Sequence, residues 1–352
     1  MSDEAEILPL SGSPNPSHLF THPNNEQGEY LSSLDVTSDF AMATTSKGQL
    51  LLYSMPFFNI LNTKSWPNIA ECMIQDKEHI IILHTMRPFI YDLTFSVTTS
   101  FLKRPTAQTR DRLVFSAGSY FDNLLVGVTC LSTLSLWDVR SSDSPRVLTL
   151  PNNSNVQTVS LKNNIIVIGQ KNGRISVLDA RNMKQRLNQI DIASQIVGTN
   201  VRHEFEIVQN QFEPWTIGFQ FSSGPAGIVD LMTKKVTHQI NQPLYTATTI
   251  TDPNNNDMNA TNINHNVNIN NNFNYNVNHR TKLRPVFYRN SFCVGYSWSK
   301  ILQVVNFHDF TQTEKFNGKL IELSACPASI SAPEDVDGIF VATSGNEIYQ
   351  VF

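Results

Sequence analysis

The segment LSLWDVR, Leu134 to Arg140, returns as ISVLDAR at Ile175 to Arg181, about forty residues later. A phrase that recurs at this period marks a supersecondary unit made more than once, because a unit too small to bury its own apolar face must stack against copies of itself. In both copies a strand-forming run ends in Asp-x-Arg, so the unit closes on a strand.

Apolar runs and turn residues divide most of the chain into seven such units of three short strands. The first reads LSSLDVT, FAMATTS, the turn Lys47-Gly48, then QLLLYSM. The fourth reads VQTVSLK, the turn Asn163-Asn164, IIVIGQ, the turn Asn172-Gly173, then RISVLDA. Asn-Gly between two such runs is a hairpin signal, since both residues tolerate positive φ. The second unit holds ECMIQ, HIIILHT and RPFIYDL; the third LVFSAG, NLLVGVTC and LSLWDVR; the fifth EIVQNQ, WTIGFQFSS and AGIVDLM; the sixth RPVFYR, SFCVGYS and ILQVVNF; the seventh IELSAC, GIFVATS and EIYQVF. The closing position of the third strand falls at Tyr53, Tyr91, Trp137, Leu178, Val229, Val305 and Tyr349.

No long stretch repeats its apolar residues at a helical period, so the expected class is all-β. A chain of this period is most economically a β-propeller, here of seven blades around a channel. It ends on the third strand of its last unit, and SHLFTH, Ser17 to His22, is the expected outer strand that closes the ring. The single propeller domain spans residues 16–352. Residues 1–15 and the Asn-rich stretch 251–279 are expected to be disordered, because neither has the apolar content to offset its ordering entropy.

With these units in place, the sequence resembles the WD40-repeat family. LWDVR matches the end of a WD repeat well, VLDAR less well, and the other units share the hydrophobic rhythm. There is no Gly-His dipeptide, and the turn after the second strand reads Ser46-Lys47, Leu131-Ser132, Lys171-Asn172 or Gly345-Asn346 where the family carries Asp. The resemblance implies a divergent propeller with uneven blades. It places the Trp137 indole between adjacent blades, and Asp138 bonding the backbone of the turn that follows. Arg140 and Arg181, with Asp138 and Asp179, then occupy equivalent rim positions on neighbouring blades. These Asp-x-Arg ends are similar to the paired boxes with which some WD40 proteins dock on the adaptor of cullin-4 ubiquitin ligases. The bland alternative is an internal ion pair of each Arg with its own Asp.

The chain has 352 residues, 16% of them charged, and a formal net charge of -4. No basic run exceeds two residues, so nucleic acid is not an expected partner. The N-terminus lacks the basic start and apolar run of a signal peptide, and no segment is apolar enough to span a bilayer. The expected location is cytosol or nucleus, where Cys72, Cys130, Cys293 and Cys326 stay reduced. Neither catalytic motifs nor metal-like His or Cys spacings occur, so no enzyme activity, cofactor or small-molecule substrate is expected. Glu334, Asp335 and Asp337 read as an exposed acidic loop. Phe101-Leu102-Lys103-Arg104 departs from the signature of phosphoinositide-binding propellers, so membrane binding has little support. MPFFNIL, Met55 to Leu61, with Trp66 just beyond, is aromatic-rich and reads as an outer strand and the loop after it. Phe57, Phe58 and Trp66 are therefore further partner-contact candidates. The function expected is a non-catalytic scaffold subunit that binds other proteins. The alternatives are a substrate receptor docking on a cullin-4 ligase adaptor, and a membrane-trafficking or autophagy propeller.

Overall fold

A computed structural model describes residues 16–22, 29–66, 69–84, 87–98, 115–129, 132–141, 143–150, 156–171, 173–196, 205–222, 225–240, 283–297, 299–306 and 319–351. Among them every regular element is a strand. β1 (Ser17–Thr21) precedes blade 1, which is β2 (Leu31–Val36), β3 (Phe40–Thr45), β4 (Gln49–Ser54) and β5 (Asn59–Ser65). Blade 2 is β6 (Ile69–Ile74), β7 (His79–His84) and β8 (Pro88–Asp92); blade 3 is β9 (Phe115–Phe121), β10 (Leu124–Thr129), β11 (Thr133–Asp138) and β12 (Arg146–Thr149). Blade 4 is β13 (Val156–Lys162), β14 (Ile165–Gln170), β15 (Arg174–Asp179) and β16 (Asn182–Asp191); blade 5 is β17 (Phe205–Gln209), β18 (Thr216–Phe221), β19 (Ala226–Asp230) and β20 (Lys235–Ile240). Blade 6 is β21 (Val286–Tyr288), β22 (Ser291–Gly295), β23 (Ile301–Asn306) and β24 (Lys319–Glu322); blade 7 is β25 (Pro327–Ser331), β26 (Ile339–Thr343) and β27 (Glu347–Val351), with β1 outermost.

Neighbouring strands of each sheet pair antiparallel, in sequence order within blades 1 to 6. The expected closure is present. β1 lies antiparallel to β27, with Ser17 opposite Gln350 and Thr21 opposite Glu347, and the His22 N–H donates to the Asn346 carbonyl at 2.8 Å. All seven closing residues named from the sequence lie on third strands and are buried. The seventh unit needs a correction. IEL belongs to β24, the outer strand of blade 6, and the first strand of blade 7 is PASIS, Pro327 to Ser331. Pro and Ser read as loop, but proline is tolerated as the first residue of a strand, and all five residues are buried. Among the described residues blade 2 has three strands, with a further bridge from Tyr91 to Val97. The expectations for residues 1–15, 251–279, Phe101–Arg104 and Cys130 lie outside the described residues.

The core is divided rather than central. Alternate residues of a middle strand point to opposite faces, and in β14 Ile166 and Ile168 pack toward blade 3 while Ile165 and Val167 pack toward blade 5. In β3 Phe40 and Met42 face blade 2, and Ala41 and Ala43 face blade 7. This two-sided burial is why these strands read as unbroken apolar runs. Each adjacent pair of blades shares one such cluster, including blade 7 with blade 1, so the sheets close into a ring.

The turns between second and third strands repeat at atomic level without the family's Asp. In blades 1, 3, 4 and 7 the N–H of Gly48, Ser132, Gly173 and Asn346 donates to the carbonyl three residues earlier, at 3.0, 3.0, 2.9 and 3.1 Å. The four donors have positive φ values of 81°, 64°, 74° and 62°. The buried hydroxyls of Thr45 and Thr129 accept the N–H of Gln49 and Thr133, both at 3.1 Å. The Asn163-Asn164 turn likewise has both residues at positive φ.

Beyond its ladder with β27, the closure strand is held by an aromatic side chain, since Phe20 meets Tyr53 edge-on at 5.3 Å and stacks with Phe58 at 6.2 Å. Phe20→Ala is expected to lower unfolding free energy by about 2 kcal/mol in urea titrations. Ser17→Ala, on the exposed end of the same strand, should change it by less than about 0.5 kcal/mol.

Candidate functional site

Third strands end in a shared turn. Asp92, Asp138, Asp179 and Asp230 each accept the N–H two residues on, from Thr94, Arg140, Arg181 and Met232, at 2.9, 3.1, 2.9 and 2.8 Å. The residue between is apolar and turned inward: Leu93, Val139, Ala180 or Leu231. A carboxylate that accepts its own downstream N–H fixes such a turn. The Asp is therefore the structural part of the phrase, and it recurs in YDLT and VDLM, which sequence reading passed over. Trp137 fills the gap between blades 2 and 3, 5.6 Å from Phe115.

Arg appears in only two of the four turns, and there it takes the same pose. Arg140 and Arg181 each donate from Nε at 3.0 Å and Nη2 at 2.8 Å to their own Asp. These bonds hold the Asp138 and Asp179 carboxyls below the usual carboxylate range. The internal ion pair is thus formed in both. The Arg140 and Arg181 side chains nonetheless remain 67% and 76% exposed. Arg146 joins the two blades by donating from Nη1 to the Arg181 carbonyl at 3.0 Å.

The aromatic candidates separate. Met55 to Phe58 forms the turn before the outer strand rather than the strand itself, and β5 begins at Asn59. Phe57 points to solvent at 77% exposure, whereas Phe58 is buried at 2% and serves as the floor on which β1 rests. Phe58 is therefore a closure residue and is not presented to a partner. Trp66 is half-buried in the seam between blades 1 and 2, 4.8 Å from Tyr91 and 5.4 Å from Phe95, with Lys64 Nζ 4.6 Å above its ring. Two apolar residues that the sequence did not single out, Phe212 and Met232, are 71% and 65% exposed on the turns of blade 5.

The channel side of the ring is polar and cross-braced. Side chains of one first strand accept N–H groups of the next: Ser329 from Leu34 at 2.9 Å, Ser119 from Leu161 at 3.1 Å, Ser160 from Gln209 at 3.3 Å and Asp35 from Ile74 at 3.4 Å. Arg284, just before β21, reaches Glu71 of blade 2 at 2.8 Å and Glu206 of blade 5 at 3.3 Å. Burial pulls this guanidinium down, but the two carboxylates outweigh it and hold it above its ordinary value. Lys162 of blade 4 meets Glu334 of blade 7 at 2.7 Å. The acidic loop read from the sequence is therefore made of inter-blade links, since Asp335 also accepts the Ser38 N–H at 2.9 Å and Asp337 pairs with Arg289 at 2.6 Å. Burial pushes up the Cys72 thiol, and takes that of Cys293 up to about 12, which favours the protonated thiol in both. Among the described residues, no group of three or more His, Cys, Asp or Glu is placed to hold a metal, and no helix is long and apolar enough to cross a membrane.

Removing Arg284 leaves Glu71 and Glu206 facing each other across the channel without their cation. Arg284→Met is expected to cost about 3 kcal/mol in chemical denaturation, and adding Glu71→Gln and Glu206→Gln should recover part of that loss. Asp35 behaves oppositely. Burial raises its carboxyl, against the N–H bonds of Ile74 and Val36, and the Glu71 charge adds to the rise. The folded chain then holds this proton more tightly than the unfolded one, so stability from Asp35 is gained as pH falls through the raised value. Asp35→Asn should raise the Tm near neutral pH, with the gap narrowing as the pH is lowered and the Asp35 carboxyl takes up its proton, in a thermal scan series.

No family model matches the sequence, and neither does any curated protein. Solved structures do match in shape. The WD40 domain of Pan2 from Neurospora crassa superposes with a TM-score of 0.64 at 9% identity, covering 96% of this chain and 95% of that one. The computationally designed Ika8 protein superposes at 0.58 and 10% identity, covering 96% and 99%. With the ring and its turns already in view, this likeness shows the fold to be that of a seven-bladed, WD40-like β-propeller.

Proposed function

We propose that this propeller is a non-catalytic platform that holds other proteins together, acting in the cytosol or nucleus. The observation that carries the reading is the division between frame and display. Seven inter-blade clusters and the Arg284 brace fix the strands, while Phe57, Arg140, Arg181, Phe212 and Met232 stand exposed on turns. A rigid scaffold with large side chains on its loops is suited to recognition by contact. Topology puts all five at the same ends of their sheets, because the turns after first and third strands leave an antiparallel sheet on one side.

One observation favours a narrower second reading, docking on the adaptor of a cullin-4 ubiquitin ligase. Arg140 and Arg181 adopt one pose on neighbouring blades, held ready by their own carboxylates and so losing little freedom on binding. Affinity purification of the tagged chain with mass spectrometry tests both readings. A platform returns a stoichiometric set of proteins, and Phe57→Asp with Phe212→Asp and Met232→Asp should remove at least one of them. Arg140→Ala with Arg181→Ala should remove the ligase adaptor specifically. Recovery of the tagged chain alone counts against the platform.

A further inference from the structure

We infer that the joint between the closure strand and blade 1 is a pH-sensitive latch with His22 as its trigger. Neutral His22 keeps β1 seated on the ring, and a proton on its imidazole loosens the strand.

The first ground is position. His22 directly follows β1, the strand that brings the two ends of the chain into one sheet, and it is 7% exposed. Its backbone is tied to blade 7 through the Asn346 carbonyl. Asn346 in turn accepts the Leu31 N–H at 2.9 Å and donates to the Glu29 carbonyl at 2.8 Å, so the same turn holds the entry to blade 1. The His22 ring reaches blade 1 itself. It meets Tyr53 edge-on at 6.4 Å, with Nδ1 3.2 Å from the Tyr53 hydroxyl. Tyr53 is also the ring that Phe20 meets, so two side chains from this end of the chain seat on one blade 1 residue.

The second ground is the chemistry of that contact. A neutral imidazole can accept the Tyr53 O–H at Nδ1, whereas an imidazolium is a donor at both nitrogens and accepts nothing. Burial pushes the Tyr53 hydroxyl up, so it keeps its own proton and cannot become a phenolate partner for the cation. Protonation therefore opposes two donors and leaves a charge beside the Phe20, Tyr53 and Phe58 rings. Burial holds the His22 imidazole below its ordinary value, and the Glu29 carboxylate opposes this without overcoming it. The other titratable side chains on the elements packed here are His18, Tyr30, Lys47, Glu347 and Tyr349. His18 bonds Thr21, and Glu347 takes the hydroxyls of Ser324 and Tyr349. The folded chain thus binds the His22 proton less readily than the unfolded one. The latch is fully held above the ordinary histidine value and loosens as pH falls below about 6.5. Asp35 shifts stability in the other direction and lies on a different strand, so the latch is read locally.

The test is hydrogen exchange of the full chain by mass spectrometry from about pH 7.5 to about pH 5.5, corrected for intrinsic exchange chemistry. Opening of residues 17–22 should rise by up to about tenfold, while β14 in blade 4 changes by less than about twofold. His22→Asn, whose side chain can bond Tyr53 but takes up no proton, should keep the opening level across the range. His18→Gln, on the exposed part of the same strand, should leave the rise intact. Should His22→Asn open the strand at every pH, the His22 midpoint decides. An imidazole NMR titration, assigned by the signal lost in that variant, is expected to place it below about 6.5. A flat response in the unmodified chain, a rise that persists in His22→Asn, an equal rise in β14, or a midpoint at or above the ordinary value would overturn the inference. None of these outcomes touches the platform reading, which is decided by co-purification.

Discussion

Each first strand has an edge with no strand beside it, and backbone N–H groups on such an edge need acceptors. A buried donor left without one costs free energy comparable to a lost hydrogen bond. The propeller answers with side chains from the preceding blade: Ser329, Ser119, Ser160, Asp35, and Gln157, which takes the Phe205 N–H at 2.8 Å. Those bonds form only when neighbouring sheets lie at the right angle, so they set the curvature at which the apolar clusters can also close. Polar chemistry on the inside and two-sided burial in the middle strands thus require the same ring.

The apolar rhythm was legible because it depends on residue type alone. A middle strand packed on both sides is apolar over most of its length, as in HIIILH, LLVGVT, IIVIGQ and, interrupted by the buried Gln220, TIGFQF. Turn chemistry was legible for a similar local reason, since positive φ favours Asn and Gly. PASIS was missed because its burial comes from neighbours distant in sequence and its composition is that of a loop. The Arg284 brace was illegible for the same reason in stronger form. Glu71, Glu206 and Arg284 are brought together by the closure of the circle, and no local pattern marks them.

The candidate site was legible in part. Asp-x-Arg drew attention to the right turns, yet the recurrent element is the Asp, present also at Asp92 and Asp230. Phe57 and Phe58 are adjacent and of one type, but one faces water and the other the closure strand, because Phe58 takes a left-handed φ of 53° that turns it inward. Sequence alone assigns them the same role; backbone conformation separates them.

The pairing of β1 with β27 has a mechanical consequence. The two strands are antiparallel and Ser17 lies opposite Gln350, so both chain ends leave from the same end of this pair. A force pulling the ends apart loads the ladder one rung at a time, like a zipper, instead of shearing all its bonds together. Tension on the termini would therefore open the circle at blade 7 before disturbing the other six sheets.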